Sequence, residues 1–191
     1  MKKISVLGAG SWGTAQALLL AKKTRQIALW GRFEDGIEIM HAEQENKRFL
    51  PGVRLPDNVV PTCDLKAAVE NTELIVLAVP TQAVRAVLIQ LTPYMKPGTI
   101  IINTAKGLEI ETAMRLSQVV VDVLGAQIRE RYAVLSGPSH AEEVARGIPT
   151  VVTVASYSRE TAIFVQDAFM SSVFRVYTNP DVAGVELGGA L

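Results

Sequence analysis

The sequence predicts an α/β fold, a mostly parallel, doubly wound sheet with helices on both faces. Three observations carry it: short apolar runs rich in β-branched residues recur along the chain, longer segments of helical pattern lie between them, and a glycine-rich loop joins the first run to the first helix. Runs that are apolar on both faces suit parallel strands covered by helices. Regular alternation of strand and helix then calls for right-handed crossovers in a doubly wound sheet.

Taken in order, the first strand is Ile4-Ser5-Val6-Leu7, and a helix follows over 12–23. Ile27-Ala28-Leu29-Trp30 makes the second strand, with a helix over 35–45. Residues 51–61 look like an irregular connection leading to a short third strand at Val59-Val60. Further strands are expected at 74–79, 99–102, 133–135, 149–155 and 174–177, with helices over 65–69, 82–91, 113–124, 141–146 and 159–169. From Asp181 the pattern turns helical again and runs to Leu191 without a cap or a breaker. With no repeat, low-complexity segment or linker, residues 1–191 read as one domain, and the unfinished last pattern reads as a truncated chain.

Composition narrows the function. The chain is 49% apolar and 20% charged, enough to bury a sizeable core. Lys plus Arg and Asp plus Glu both number 19, so no basic excess drives nucleic-acid or anionic-membrane binding. Cys63 is the only cysteine, which removes any internal disulfide framework or thiolate metal cluster and fits a cytoplasmic address. Met1-Lys2-Lys3 before an apolar stretch resembles a secretory signal, but Gly8, Gly10 and Gly13 interrupt the stretch. No run reaches the ~18 apolar residues of a membrane span, so no membrane insertion is expected.

Gly8-Ala9-Gly10-Ser11-Trp12-Gly13 follows a strand and opens a helix. In that context each glycine has a task. Gly8 permits a tight turn, Gly10 lets the backbone approach a pyrophosphate, and Gly13 lets the helix pack closely on the sheet. The helix N-terminus offers unpaired N–H groups and a partial positive charge to phosphates. Ser11 and Trp12 stand beside the expected pyrophosphate. The loop therefore predicts a dinucleotide-binding fold of the Rossmann type.

The second strand ends Leu29-Trp30-Gly31-Arg32. No carboxylate holds the place where NAD-preferring proteins bind the ribose 2′-hydroxyl. A guanidinium follows instead, suited to bidentate contact with a phosphate. NADP(H) is thus the expected cofactor. NAD(H) is a second one, because Glu34 and Asp35 follow closely and could serve a ribose.

Three later loops leave strands on the ligand-binding side: Ala78-Val79-Pro80-Thr81-Gln82, the 103–109 loop and the 135–142 loop. Lys106 sits at a strand's carboxyl end, where its ammonium could hold a substrate oxygen or a phosphate. Ser139, after Pro138 and three residues before Glu142, reads as the first residue of a capping box. His41 and His140 are the only histidines, and neither has partners at metal-ligand spacing, so no metal is expected.

Together the GAGSWGTA loop, the LWGR strand end, VLAVPTQAVR, NTAKGLE, LSGPSHAEEVARGIPT and the closing GVELGGAL resemble the bacterial NAD(P)-dependent glycerol-3-phosphate dehydrogenases, in order from Ile4 to Leu191. The resemblance implies reversible reduction of dihydroxyacetone phosphate to sn-glycerol 3-phosphate, for glycerophospholipid synthesis. It implies cofactor contacts at Ser11, Trp12, Arg32, Lys106 and Ala141, beside Gly8, Gly10 and Gly13. It implies substrate contacts at Lys106, Gly137 and Ser139. It also implies a catalytic lysine directly after Leu191 and a later helical substrate domain, so this chain by itself is expected to be inactive. The expected partner is a small phosphorylated molecule, with a homodimer for the full-length protein. Two other readings are a non-catalytic NADP(H)-binding module and a β-hydroxyacid dehydrogenase domain, the second disfavoured by the SGPSHAEE segment.

Overall fold

The apolar runs form strands, those at the centre of the sheet buried on both faces, and the helices between them cover those faces. The computed structural model describes residues 1–190. Along the chain run β1 (Lys3–Leu7), α1 (Ser11–Ala21), β2 (Gln26–Trp30), α2 (Ile37–Glu43), β3 (Val59–Thr62), α3 (Leu65–Val69), β4 (Leu74–Leu77) and α4 (Val84–Leu91). Then come β5 (Ile100–Asn103), α5 (Leu116–Leu124), β6 (Tyr132–Ser136), α6 (Ala141–Ala145), β7 (Thr150–Ser156), α7 (Arg159–Phe169), β8 (Phe174–Asn179) and α8 (Val182–Ala190). The eight strands make one sheet in the order β3-β2-β1-β4-β5-β6-β7-β8. Leu191, last residue of the closing GVELGGAL segment, lies outside the described residues.

Side chains alternate across the sheet and build two core layers. Leu74 and Val76 of β4 join the layer under α1, α2, α6 and α7. Ile75 and Leu77 join the layer under α3, α4, α5 and α8. That is the two-faced covering expected of a doubly wound sheet. β1 to β6 are mutually parallel, with β1 between β2 and β4, so the winding reverses direction at β1. Ligands of open α/β sheets bind at such a reversal, outside the carboxyl ends of the strands.

β7 departs from this pattern by running antiparallel to β6, with Ser136 opposite Thr153. A parallel return would need a crossover that spans the sheet. α6 has only five residues, a rise of about 7.5 Å, too short for that trip. The chain therefore turns back at the end where β6 stopped. β8 pairs parallel with β7.

Several helices start later than the pattern suggests. Ala113 has φ 56°, outside right-handed helix, and α5 begins only at Leu116. Ahead of α2, residues Phe33–Asp35 form a 3₁₀ turn closed by Gly36 at φ 79°.

Candidate functional site

The glycine loop leaves the carboxyl end of β1 tucked under the loop after β4. Gly8 has φ 122°, and a Cβ there would lie 2.5 Å from the Ala78 carbonyl oxygen. A Cβ on Gly13 would lie 1.8 Å from the Gly8 carbonyl oxygen. These two glycines are demanded by the protein's own packing. Gly10 is different: its φ is −73°, open to any residue, and nothing lies within 4 Å of where its Cβ would sit. The protein itself makes no use of the missing side chain, so the space faces outward. The first bond inside α1 runs from the Thr14 N–H to the Gly10 carbonyl at 3.0 Å, and no side chain caps the helix. The N–H groups of Ser11, Trp12 and Gly13 are left to an external acceptor.

Asn46 fixes this loop from behind. Buried at 1% exposure, its Nδ2 donates to the Ala9 carbonyl at 2.9 Å and to Thr14 Oγ1 at 2.7 Å, while its Oδ1 accepts from the Phe49 N–H at 3.1 Å. Sequence reading passes over Asn46, because one asparagine in an irregular connection carries no periodicity or spacing signal.

A cavity of about 520 Å³ opens where the winding reverses, lined by Gly8, Gly10, Ser11, Trp12, Arg32 and Asp35, with Phe49 and the 78–80 loop opposite. Five of the expected cofactor residues thus share one wall system. Gly13 sits behind it as a packing glycine. Arg32, its side chain 70% exposed, pairs with Asp35: Nη2 lies 3.3 Å from Oδ1. The Asp35 carboxylate also accepts the Arg32 N–H at 2.9 Å. The glycine cradle, free helix N-terminus and cation at the far end fit a dinucleotide.

A second cavity, of about 470 Å³, lies beyond β5 and β6 and is lined by Lys106, Ser136, Gly137, Thr153, Gly188 and Gly189 among others. Lys106 Nζ donates to the Gly137 carbonyl at 3.1 Å. An ammonium has three donors, so two remain for a ligand. The Lys106 loop is held from the β4 side. Thr81 Oγ1 donates to the Lys106 carbonyl at 2.6 Å, and Gln82 Nε2 to the Leu108 carbonyl at 2.9 Å. Farther along the same loop, Arg85 clasps Glu109 at 2.8 and 2.9 Å. That pairing, with help from Thr112, holds the Glu109 carboxyl below its ordinary range.

α8 forms the far wall of this cavity and is anchored by Glu186, a side chain 4% exposed. Its carboxylate accepts from the Ser117 N–H and Oγ and from Tyr132 Oη, each at 2.7 Å, and from Arg115 Nη1 at 2.8 Å. Burial, followed by the nearby Glu186 charge, pushes the Tyr132 phenol well above its ordinary value, so it stays a donor. Gly189 packs on Ser136, where a Cβ would lie 2.2 Å from Oγ.

Two expected contacts lie elsewhere. Ala141 is buried at 8% exposure at the start of α6 and lines neither cavity. Ser139 also lines neither, and the expected capping box does not form. His140 is the N-cap of α6, with no side-chain cap bond, and Ser139 Oγ reaches the Gly137 carbonyl at 3.4 Å instead. The helix begins one residue later than the Ser-x-x-Glu spacing implies, so the hydroxyl is out of register with the free N–H groups. Ser139→Ala is accordingly expected to change stability by less than about 0.5 kcal/mol in denaturant unfolding. A loss near 1 kcal/mol, typical of a removed cap, would restore the capping role.

His140 and His41 are exposed, and His41 Nδ1 lies 3.2 Å from the Pro61 carbonyl. Among the described residues, no group of three or more His, Cys, Asp or Glu is placed to hold a metal ion. None of the described helices is long and apolar enough to cross a membrane.

Comparison with known proteins agrees with this geometry. Residues 3–162 match the family described as NAD-dependent glycerol-3-phosphate dehydrogenase N-terminus. The chain is 62% identical over 191 residues to the glycerol-3-phosphate dehydrogenase (NAD(P)+) of Syntrophomonas wolfei, covering 100% of this chain and 56% of that protein. It is 56% identical over 190 residues to the enzyme of the same name from Moorella thermoacetica, again over 100% of this chain and 56% of that protein. Among solved structures, glycerol-3-phosphate dehydrogenase from Coxiella burnetii superposes with a TM-score of 0.91 at 39% identity, over 98% of this chain and 56% of that one. The chain thus spans about 56% of the length of the relatives it matches.

Proposed function

The chain belongs to the family of the NAD-dependent glycerol-3-phosphate dehydrogenase N-terminus, and from that membership we propose that it is the cofactor-binding part of an enzyme interconverting dihydroxyacetone phosphate and sn-glycerol 3-phosphate with NAD(P)H. The observation that carries this reading is Gly10, a helix-capping glycine with open space where its side chain would be, at the mouth of a cavity placed at the winding reversal.

In this reading the pyrophosphate rests on the N–H groups of Ser11 and Trp12 at the start of α1, where the helix dipole favours anions. Arg32 faces the adenosine end and takes a 2′-phosphate when one is present. A bound nicotinamide supplies the hydride. The chain's own residues prepare the acceptor: Lys106, bonded to the Gly137 carbonyl in the wall of the second cavity, presents its free donors to a phosphate or to the carbonyl oxygen that gains charge during reduction. Gly137 and Ser139 belong to the loop facing it, and Ala141, at the start of α6, anchors the end of that loop in the core layer shared with α1. The protein's partner is then a small phosphorylated substrate, and its single free cysteine suits a reducing, cytoplasmic setting.

Arg32→Ala tests the adenosine-end assignment. NADPH binding is expected to weaken by about 1.5 to 3 kcal/mol, the worth of a charged hydrogen bond, with a clearly smaller loss for NADH in parallel calorimetric titrations. Equal losses for the two cofactors would remove Arg32 from the role of phosphate reader.

A further inference from the structure

Arg32 does not wait at the cavity as an isolated cation. Its guanidinium meets Asp35 three residues on, with Nη2 3.3 Å from Oδ1 and Nε 3.5 Å from Oδ2. The two partners differ in freedom. Arg32 is largely exposed, whereas the Asp35 side chain is only 19% exposed and is tied to the backbone by accepting the Arg32 N–H at 2.9 Å. The 3₁₀ turn Phe33–Asp35, closed by left-handed Gly36, holds it there. The guanidinium can swing away, but the carboxylate cannot follow.

Both side chains line the same cavity, at the end that the reading above gives to the adenosine ribose. The surroundings of that end are anionic. Cys63, which follows β3 beside β2, has its thiol pushed up by burial and then by the charges of Glu38, Asp35 and Glu34. On the cationic side stand Arg32 and Arg48, and Arg48 is engaged with the Glu34 carbonyl.

Resting on the dinucleotide reading above, we propose that Asp35 sets the cofactor ratio, by holding Arg32 against a 2′-phosphate and by offering its own carboxylate to an unphosphorylated ribose. With NADH the pair stays closed, and a free lone pair of Asp35 accepts a ribose hydroxyl. With NADPH the phosphate must draw Arg32 off Asp35 and then sit beside a carboxylate that has lost its partner. Like charges a few ångströms apart repel even where water screens them. The site therefore accepts both cofactors and is tuned between them by a residue of opposite charge to the one that reads the phosphate.

The test is Asp35→Asn, titrated with NADPH and with NADH by calorimetry beside the unaltered chain. Asparagine keeps an oxygen to accept the Arg32 N–H, so the turn is retained, and a matching thermal transition checks this. The expected result is NADPH binding tightened about fivefold, NADH binding unchanged or weakened, and a NADPH-to-NADH affinity ratio raised about tenfold. The ratio is the decisive readout. The two cofactors share every other contact, so general loosening of the site lowers both affinities and leaves the ratio alone. Asp35→Ser, smaller and neutral, is expected to move the ratio the same way. A ratio within twofold of the unaltered chain in both variants, or one shifted toward NADH, would overturn the proposal. If the unaltered chain binds neither cofactor, the dinucleotide reading itself fails, which a normal titration of the unaltered chain with an unmoved ratio in the variants does not imply.

Discussion

Gly13→Ala is expected to abolish dinucleotide binding and to destabilise the fold by about 3 kcal/mol or more, at the upper end of overpacking effects. The added carbon would stand 1.8 Å from the Gly8 carbonyl oxygen. Both sides of that contact are backbone, so no side chain can rotate away. α1 must lift from β1, and the glycine loop, which Asn46 pins to both Ala9 and Thr14, must shift with it. Gly10→Ala supplies the contrast. Its Cβ meets no protein atom within 4 Å, and its cost to stability is that of alanine at a helix N-cap, about 1 kcal/mol. Its effect should fall instead on ligand binding. Urea unfolding and cofactor titration of both variants separate the two effects. If Gly10→Ala binds cofactor like the unaltered chain, the loop is not a phosphate cradle.

Glu186→Ala is expected to cost about 3 to 5 kcal/mol, the range for a buried ion pair broken on one side. The carboxylate is the shared acceptor for Arg115, the Ser117 N–H and hydroxyl, and Tyr132. Its removal leaves several buried donors unpaired. The damage should localise at the second cavity. α8 would lose its tie to α5 and β6, and the packing of Gly189 on Ser136 would loosen. Hydrogen exchange along α8 should therefore rise more than exchange in β1 or β4. A stability loss below 1 kcal/mol, with α8 protection unchanged, would mean the network does not hold the helix.

Much of this was legible in the residues. Strands β2, β4 and β5 follow unbroken apolar runs, because a strand covered on both sides has no solvent face to mark with polar residues. The glycine loop was legible because Gly8 and Gly13 answer separate steric demands at fixed spacing, with Gly10 left open between them. The antiparallel β7 was written only indirectly, in the shortness of α6. The polar fasteners were not legible. Asn46, Gln82, Arg115 and Glu186 act through partners 26 to 71 positions away, and local periodicity carries no trace of such pairs. Ser139 shows the opposite failure, where a local motif was present and the helix began one residue beyond it. At Arg32 the sequence pointed to a phosphate reader, and the fold places its counter-charge, Asp35, within the same turn.

The most direct test of the central claim is a calorimetric titration of this chain with NADPH and, separately, with NADH. A dinucleotide cavity built from the glycine loop, Arg32 and Asp35 predicts saturable binding of one equivalent of each. Binding of neither would contradict the assignment of that cavity.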